Sequence, residues 1–304
     1  MATATTTRTD VYARVTSHIV NELEQGVRPW LRPWNTENAA GRITRPLRHN
    51  GLPYQGINIL ILWASAETKG YACPFWLTFQ QARELGGFVK KGEQGSPVVF
   101  ASTFKKKEPA EDGSEAEADI PFLIEYTVFN AEQCEGLPER FYALGEAPKG
   151  QVERIERAEA FFHNTGAEIR SGGNRAYYSI SSDYVQMPPL EAFRDGESNV
   201  AVLAHEMTHW TSHASRLNRD FGRKRWGDEG YAIEELVAEL GAAFLCADLN
   251  ITPDVREDHA AYIADWLKVL KNDKRAIFTA ASHASKAADF LHSLQPRETE
   301  RTLA

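Results

Sequence analysis

The stretch His205-Glu206-Met207-Thr208-His209 pairs two histidines around a glutamate. On an α-helix, His205 and His209 lie one turn apart and project from the same face. Two imidazoles so placed can bind one Zn²⁺ ion, and Glu206 lies beside them, where it can reach a water at the metal. The mostly apolar run 199–204 precedes the motif, as expected for a helix buried beneath an active-site floor. The sequence therefore predicts His205 and His209 as metal ligands and Glu206 as the catalytic base.

A second metal-binding helix is predicted at 234–245, where apolar residues recur at helical spacing. Glu235 and Glu239 are four residues apart and so share one face of this helix. A catalytic zinc usually takes three protein ligands and keeps one position for water, so we predict Glu235 as the third ligand. Glu239 is predicted to accept the N–H of a ligand histidine, and Glu234 is the rival third ligand. The pattern resembles the glutamate helix of gluzincin-type metallopeptidases.

Three further features lie near these helices in the sequence. Tyr178 and Tyr184 are both candidates for stabilising an oxyanion, and the sequence does not choose between them. The basic loop 216–226 is interpreted as solvated, although it lies between the two predicted metal helices. His213 is interpreted as lying near the end of the first helix and outside the ligand set.

Length and composition define the class of protein. The chain has 304 residues, of which 42% are hydrophobic and 25% charged, as is ordinary for a soluble globular protein. It has no apolar run long enough to span a bilayer and no secretory signal at its amino terminus, so no membrane partner is expected. Its three cysteines are scattered without C-x-x-C spacing, which favours a reducing cytoplasm and argues against a cysteine zinc site.

The charge of the chain is divided between its two ends. Residues 1–107 hold 14 Lys and Arg against 7 Asp and Glu, whereas residues 108–304 hold 20 against 35. This split predicts two domains with different partners. We expect a nucleic-acid-binding domain at 1–135, a linker containing prolines and glycines at 136–151, and a metal-binding domain at 152–304.

The basic amino-terminal third also carries aromatic residues, and single-stranded DNA binders combine cations with aromatic faces on which bases stack. Trp63 and Phe79 fall in apolar periodic stretches and are interpreted as core residues. Trp30 and Trp34 are flanked by arginines and prolines in an extended segment and are interpreted as candidates for stacking on bases. The predicted DNA-binding residues are Arg28, Trp30, Arg32, Trp34, Arg45, Lys90 and Lys91.

Several local elements are also predicted. A helix is expected at 10–26 with Asp10 as its cap, and another after Thr78 that ends at 86–87. Strands at 97–100 and 122–129 should pair, with the charged segment 105–119 as a mobile loop. Strands at 169–170 and 176–180 should be joined by a turn at 171–174.

Taken together, these motifs resemble those of the ArdC-type plasmid antirestriction proteins. The segments that carry the resemblance are Arg28-Pro29-Trp30, Pro33-Trp34, 54–58, 76–82, 86–87, 89–93, Tyr177-Tyr178, Asp183, Met187-Pro188, 205–209 and 235–239. The resemblance implies an α+β chain with a small α+β single-stranded-DNA-binding domain followed by a zincin-like metallopeptidase domain. It also implies a role in conjugation, in which incoming plasmid DNA is shielded from host restriction enzymes.

Three classes of function are compatible with these features. The first is a protein that binds single-stranded DNA and carries a Zn²⁺ site, or a site for another divalent transition metal, of peptidase type. Subunits of host restriction enzymes are candidate protein targets for such a site. The second class is a purely steric binding protein whose metal site has no turnover. A nuclease is the weakest of the three, because nuclease sites favour carboxylate-rich Mg²⁺ coordination over two histidines on one helix turn.

Overall fold

The computed structural model describes residues 10–31, 44–109, 115–142, 150–222, 228–253 and 259–296, with the backbone alone for 101–109, 115–122 and 259–261. The chain divides into two compact units. The first unit comprises Met1–Arg45, Tyr54–Ala72 and Gly145–Ala304, and the second comprises Pro46–Pro53 and Cys73–Leu144.

The described residues contain helices and strands in both units, which confirms the predicted α+β class. The helices are α1 (Val11–Glu24), α2 (Ile57–Lys69), α3 (Phe79–Glu84), α4 (Gln151–His163), α5 (Gly196–Trp210), α6 (Glu229–Leu249), α7 (His259–Asn272) and α8 (Ala276–Ser293). The strands are β1 (Leu47–Arg48), β2 (Phe75–Leu77), β3 (Phe88–Val89), β4 (Ser96–Pro109), β5 (Glu115–Asn130), β6 (Cys134–Glu135), β7 (Glu168–Ser171), β8 (Tyr177–Ser179) and β9 (Tyr184–Met187).

Helix α6 lies at the centre of the first unit and packs against α5, α7 and α8. Its residues are apolar around nearly the whole circumference and almost all are buried, as expected for a helix inside a core. Asp228 caps its first turn by accepting a hydrogen bond from the backbone N–H of Tyr231 at 2.8 Å. Asp195 caps α5 in the same way through Ser198.

The amino-terminal segment belongs to the first unit, which differs from the predicted domain at 1–135. Helix α1 begins at its predicted Asp10 cap and packs on α7, while α2 packs on α8. The apolar stripe of α1, with Ile19 and Leu23, is thereby buried. The predicted linker also differs, because Leu137 and Phe141 lie in the core of the second unit. Residues 143–149 lie outside the described part of the chain.

The second unit is built on a four-stranded sheet in the order β1-β2-β5-β4, beside a two-stranded pair β3-β6. The predicted pairing of strands at 97–100 and 122–129 is confirmed, with Phe100 opposite Ile124. The loop predicted at 105–119 is wrong for 105–109 and 115–119, which belong to β4 and β5, and residues 110–114 lie outside the described part of the chain. Their register places Lys105 opposite Asp119 and Lys107 opposite Glu117.

The predicted capped helix after Thr78 is confirmed: Thr78 and Gln81 form a reciprocal capping box at the start of α3. Trp63 is buried on α2, in agreement with its interpretation as a core residue. The same interpretation is wrong for Phe79, which is 52% exposed on α3. In a helix of six residues, the face that meets the core accommodates few side chains, and Ala82 occupies it.

A three-stranded sheet in the first unit has the order β7-β9-β8. The predicted strands at 169–170 and 176–180 are confirmed as β7 and β8, but they do not pair with each other. Strand β9 lies between them, parallel to β7 and antiparallel to β8. Val185 and Met187 of β9 are buried, which explains why this strand and not β8 takes the central position.

Candidate metal centre

The two histidines and the glutamate of the motif lie in the last turns of α5. His205 and Glu206 are buried, and His209 is nearly so. The two imidazole rings have their centroids 4.9 Å apart, as the one-turn spacing requires. The expectation that His205 and His209 share one face of a helix therefore holds in the structure.

Glu235 on α6 faces both imidazoles. One of its carboxylate oxygens lies 3.5 Å from Nε2 of His205, and the other lies 3.5 Å from Nε2 of His209. One ligand atom from each of the three residues lies within 4.8 Å of the others, and the two 3.5 Å distances from Glu235 are close to the spacing of ligands that lie about 2.0–2.2 Å from one ion. Two imidazole nitrogens and one carboxylate form a donor set that suits a divalent transition metal. The residues present thus fit the predicted site.

A close approach between α5 and α6 brings the three ligands together. A Cβ at Gly241 would lie 2.5–3.1 Å from side-chain atoms of Thr208, so only glycine allows the helices to cross at this distance. Thr208 lies between the two histidines and turns its hydroxyl back onto the carbonyl of Ala204 at 2.8 Å. Gly241 therefore sets the separation of the helices that carry the ligands.

Glu234 supports the site from behind. Its Oε1 lies 3.1 Å from Nδ1 of His209, and Arg219 donates to both of its carboxylate oxygens at 2.7 Å. Arg219 is buried and also donates to the backbone oxygen of Thr208 at 2.9 Å. An acceptor on the outer nitrogen of a ligand histidine fixes the orientation of the ring and raises its basicity. Glu234, the rival ligand in the sequence, thus occupies a supporting position, while Glu235 faces both histidines.

The position of Glu239 differs from the prediction in one respect. At His209, the acceptor role predicted for Glu239 is taken by Glu234. Glu239 is buried on α6 and lies 3.6 Å from the guanidinium of Arg28.

The charges of the site oppose the effects of burial. Burial by itself would lower the pKa of His209, but Glu235 and Glu234 outweigh it and raise that pKa to about 10. Burial would likewise raise the pKa of Glu235, but His209 and His205 outweigh it and lower the pKa. The pKa of Glu234 is also lowered, since Arg219 and His209 outweigh its burial. A metal binds neutral imidazole, so a cation at this site would compete with protonation of His209.

An open cleft of about 1440 Å³ lies over this cluster. Glu206, His209 and Glu235 line it, together with Tyr231 of α6 and Tyr262 of α7. Burial, followed by the charge of Glu235, raises the pKa of Tyr231, so its phenol stays protonated. Sequence reasoning missed Tyr231 because the predicted helix begins at 234, whereas α6 begins at Glu229 and places Tyr231 one turn before Glu235.

Of the two tyrosines predicted as oxyanion donors, only Tyr178 lines the cleft in the described part of the chain. Its hydroxyl donates to Asp183 at 2.8 Å and accepts from Arg216 at 3.0 Å. Tyr184 instead forms a hydroxyl pair with Tyr177 at 3.0 Å.

The solvated interpretation of the loop 216–226 is wrong for Arg216 and Arg219, which are held by carboxylates and nearly or fully buried. Residues 223–226 of this loop lie outside the described part. His213 hydrogen-bonds Ser215 at 2.8 Å and is not part of the metal cluster found among the described residues.

The predicted DNA-binding residues of the amino-terminal segment have other partners. Trp30 is fully buried, with its ring edge-on to Trp266 at 5.8 Å. Arg28 is paired with Glu239 as described above. Arg45 is buried and bonded to Asp248 at 2.8 Å and Asp289 at 3.3 Å. A buried ring cannot stack on a base and a buried guanidinium cannot meet a phosphate, so the predictions for these three residues are wrong.

The remaining candidates have mixed positions. Arg32 and Trp34 lie outside the described residues. Lys91 is exposed, whereas Lys90 is half-buried and donates to the backbone oxygen of Glu132 at 3.0 Å. Both lysines lie in the second unit, shortly after Phe88, a strand residue whose side chain is exposed to solvent.

Comparison with known proteins gives matches over both halves of the chain. Residues 9–129 match the family model for the N-terminal domain of the anti-restriction factor ArdC, and residues 156–283 match that for a zincin-like metallopeptidase. The uncharacterised protein y4eC of Sinorhizobium fredii is 44% identical over 295 residues, which covers 95% of this chain and 94% of that protein. A DNA primase TraC of Escherichia coli is 33% identical over 305 residues, but the match spans only 28% of that protein.

Two crystal structures of the antirestriction ArdC protein from plasmid R388 also match. The metal-free form is 45% identical, with a TM-score of 0.77 over 94% of this chain and 97% of that chain. The form described as Mn(II)-bound is 43% identical, with the same TM-score over 95% of this chain and 100% of that chain. Fold and site together define a protein with a zincin-like unit that suits a divalent metal. The chain belongs to the ArdC family of antirestriction proteins.

Proposed function

We propose that the cleft of the first unit hydrolyses peptide bonds with a divalent metal held by His205, His209 and Glu235. The observation that carries this proposal is the convergence of these three side chains beside Glu206 in one cleft. A bound ion supplies Lewis acidity that polarises a scissile carbonyl and lowers the pKa of water. Zn²⁺ is the proposed ion, since two histidines and a glutamate are typical of zinc hydrolases, and another divalent transition metal can take its place.

Glu206 is the proposed general base. Its side chain is buried in the cleft wall next to His205, where it can take a proton from the attacking water and pass it to the leaving amine. Glu234 and Arg219 hold His209 in orientation from the opposite side. Neither of these two residues needs to touch the substrate to affect the reaction.

An extended polypeptide is the proposed substrate class. A cleft of about 1440 Å³ exceeds the usual size of small-molecule pockets, about 300–1,000 Å³. Its wall includes Tyr177 and Tyr178 of β8, which pairs with β9 alone among the described strands. The other edge of β8 can therefore pair with a peptide by strand addition. Subunits of host restriction enzymes remain the candidate protein targets.

The second part of the proposal is that the chain binds single-stranded DNA. In place of the buried Trp30, we propose the exposed aromatic residues of the second unit as stacking surfaces. Phe88 and Phe100 are 53% and 54% exposed, and Tyr126 is also exposed on β5. Lys90 and Lys91 follow Phe88 directly and supply positive charge for phosphates. The proposed role is to protect incoming plasmid DNA from restriction in the cytoplasm during conjugation.

None of the helices in the described ranges is long and apolar enough to cross a membrane.

A second candidate function is steric protection of the DNA, in which the first unit holds a metal but does not turn over a substrate. The resemblance of residues 156–283 to a peptidase model is equally compatible with this alternative. An intact metal site shows that hydrolysis is chemically possible, and it does not show that the protein hydrolyses a substrate.

The Glu206→Gln variant tests the proposal, because it keeps the side-chain shape and all three metal ligands. Plasmid transfer into restricting and non-restricting recipients is compared for wild type, Glu206→Gln and Phe88→Ala, which removes one of the proposed DNA-stacking residues. Bound metal is measured in the same proteins by mass spectrometry. Loss of protection with full metal occupancy in Glu206→Gln supports hydrolysis. Full protection by Glu206→Gln, with loss in Phe88→Ala, refutes hydrolysis and favours the steric alternative.

A further inference from the structure

The cleft needs a donor for the negative charge that develops on the carbonyl oxygen of a cleaved peptide bond, and the two tyrosines expected from the sequence are poorly placed for this task. Tyr178 has one hydroxyl proton, and it is donated to Asp183. Tyr184 is not among the described residues that line the cleft, and its hydroxyl is paired with Tyr177. Preorganised donors of this kind contribute about 10²–10³ to the rate in peptidases, so the position of the donor matters.

A second pair of tyrosines lies in the same cleft on the side of α6. Tyr231 is located one helical turn before Glu235 and therefore projects from the same face of α6 as this proposed ligand. Its hydroxyl is 3.1 Å from that of Tyr262 and also hydrogen-bonds Glu235, and both tyrosines line the cleft with Glu206 and His209.

The ring of Tyr231 is held rigidly. It stacks on Tyr262 with centroids 6.2 Å apart and an interplanar angle of 25°, and Tyr262 stacks in turn on Trp266 at 6.2 Å and 22°. Trp266 is fully buried against Trp30. A hydroxyl at the end of such a stack has a fixed position before the substrate arrives, which is what a preorganised donor requires.

From this geometry we infer that Tyr231 is a catalytic residue, which donates a hydrogen bond to the developing oxyanion of the substrate while Tyr262 orients its hydroxyl. The inference rests on the proposed peptidase function and adds to it a residue that neither motif contains. It assigns Tyr178 to a structural role with Asp183 and Arg216, where it joins the turn between β8 and β9 to the loop after α5.

The test compares two dipeptide ligands on the full-length protein loaded with Zn²⁺, using isothermal titration calorimetry. N-phosphoryl-Leu-Trp presents an extra anionic oxygen that mimics the oxyanion, whereas mercaptoacetyl-Leu-Trp binds a metal through sulfur and presents none there. We expect Tyr231→Phe to weaken the phosphoryl ligand roughly ten- to hundredfold, as for a lost hydrogen bond to a charged group. The affinity of the Tyr231→Phe protein for the thiol ligand should change less than about twofold, which is the variation expected when a mutation and a ligand do not interact.

Two further variants accompany this comparison. Tyr262→Phe keeps the phenol of Tyr231 but removes its hydroxyl partner, and should give a smaller loss that is again selective for the phosphoryl ligand. Tyr184→Phe, a tyrosine in a hydroxyl pair outside the cleft lining, should leave both affinities unchanged. Zn²⁺ affinity is measured for each variant by competition with a chromogenic chelator and should equal that of wild type.

Each remaining outcome has a definite meaning. An equal loss for both ligands together with weaker Zn²⁺ binding would show that Tyr231 acts through Glu235, and no loss for either ligand would show that it is not the donor. Both results would overturn this inference and leave the proposed peptidase function intact. Failure of the Zn²⁺-loaded wild type to bind either ligand would instead refute the peptidase proposal itself.

Discussion

Replacement of Trp30 by alanine should lower the free energy of unfolding of the first unit by about 3–5 kcal/mol. The side chain is fully buried, so its removal costs both its transfer free energy and the cavity that the surrounding helices fill only in part. Its edge-on contact with Trp266, at 5.8 Å, accounts for about 0.5–1.5 kcal/mol of this loss. For a unit of this size the midpoint of thermal unfolding should fall by roughly 6–20 °C.

Two measurements distinguish this structural role from a role in stacking on DNA. Urea and thermal unfolding give the change in stability, and fluorescence anisotropy with a labelled single-stranded oligonucleotide gives the affinity for DNA. The matched control is Phe88→Ala in the second unit, where an exposed ring is lost. That variant should change stability by less than about 0.5 kcal/mol and weaken DNA binding by the ~1–3 kcal/mol of one stacked base.

Trp30→Phe is a milder change at the same position. The indole N–H of Trp30 has no hydrogen-bond acceptor among the described residues, so phenylalanine loses no hydrogen bond and leaves a smaller cavity. We expect a loss of about 1–2 kcal/mol, clearly below that of alanine. If Trp30→Ala unfolds at the wild-type urea concentration but binds the oligonucleotide tenfold more weakly, then Trp30 is a stacking residue and the reasoning is refuted.

Three other changes have defined outcomes. Gly241→Ala places a methyl group against a threonine side chain of α5, and such overpacking costs about 1–3 kcal/mol. Because the added methyl group would push apart the helices that carry the ligands, metal affinity measured by chelator competition should fall at least tenfold. Glu234→Gln removes the charge behind His209 and should lower metal affinity about 10–100-fold in the same assay; an unchanged affinity would exclude the supporting role. The hydrogen bonds of Arg216 lower the pKa of Asp183 to about 2 from 3.8, so its stabilising effect is complete above the unfolded pKa and is lost as the pH falls through the folded value. The free energy of unfolding from urea titrations should therefore fall more steeply from pH 5 to pH 2 in wild type than in Asp183→Asn. The difference should be no more than about 1 kcal/mol because the carboxylate is partly exposed, and parallel curves would contradict this.

The part of the metal site that could be predicted is the part that local geometry determines. His205 and His209 are one turn apart on any helix, so their proximity follows from the sequence alone. The same spacing rule places Glu235 and Glu239 on one face of α6. It could not decide which of the neighbours Glu234 and Glu235 meets the histidines, because that depends on how α6 is rotated against α5 at Gly241.

The fate of the arginines and tryptophans near the amino terminus could not be predicted for a different reason. An Arg-Pro-Trp segment has the same local pattern whether its side chains face solvent or a distant partner. Arg45 finds Asp248 and Trp30 finds Trp266, more than 200 residues away in both cases. Burial set by such contacts has no signature in the composition of the segment, so a surface of cations and rings was the natural but incorrect prediction.

These long-range partners also change how the two halves of the sequence should be understood. Arg45 is buried and paired with the nearly buried Asp248 and the half-exposed Asp289. Removal of one partner of a buried ion pair costs about 3–5 kcal/mol, a figure that applies here to the pair with Asp248. A piece that contained only residues 152–304 would leave both aspartates without this guanidinium and would expose Trp266 where Trp30 now covers it. The stack from Trp266 through Tyr262 to Tyr231 would then lose its buried end, although Tyr231 itself lies in the cleft. The amino-terminal segment therefore contributes to the metal-bearing unit as structure, and the properties of the cleft are those of the full chain.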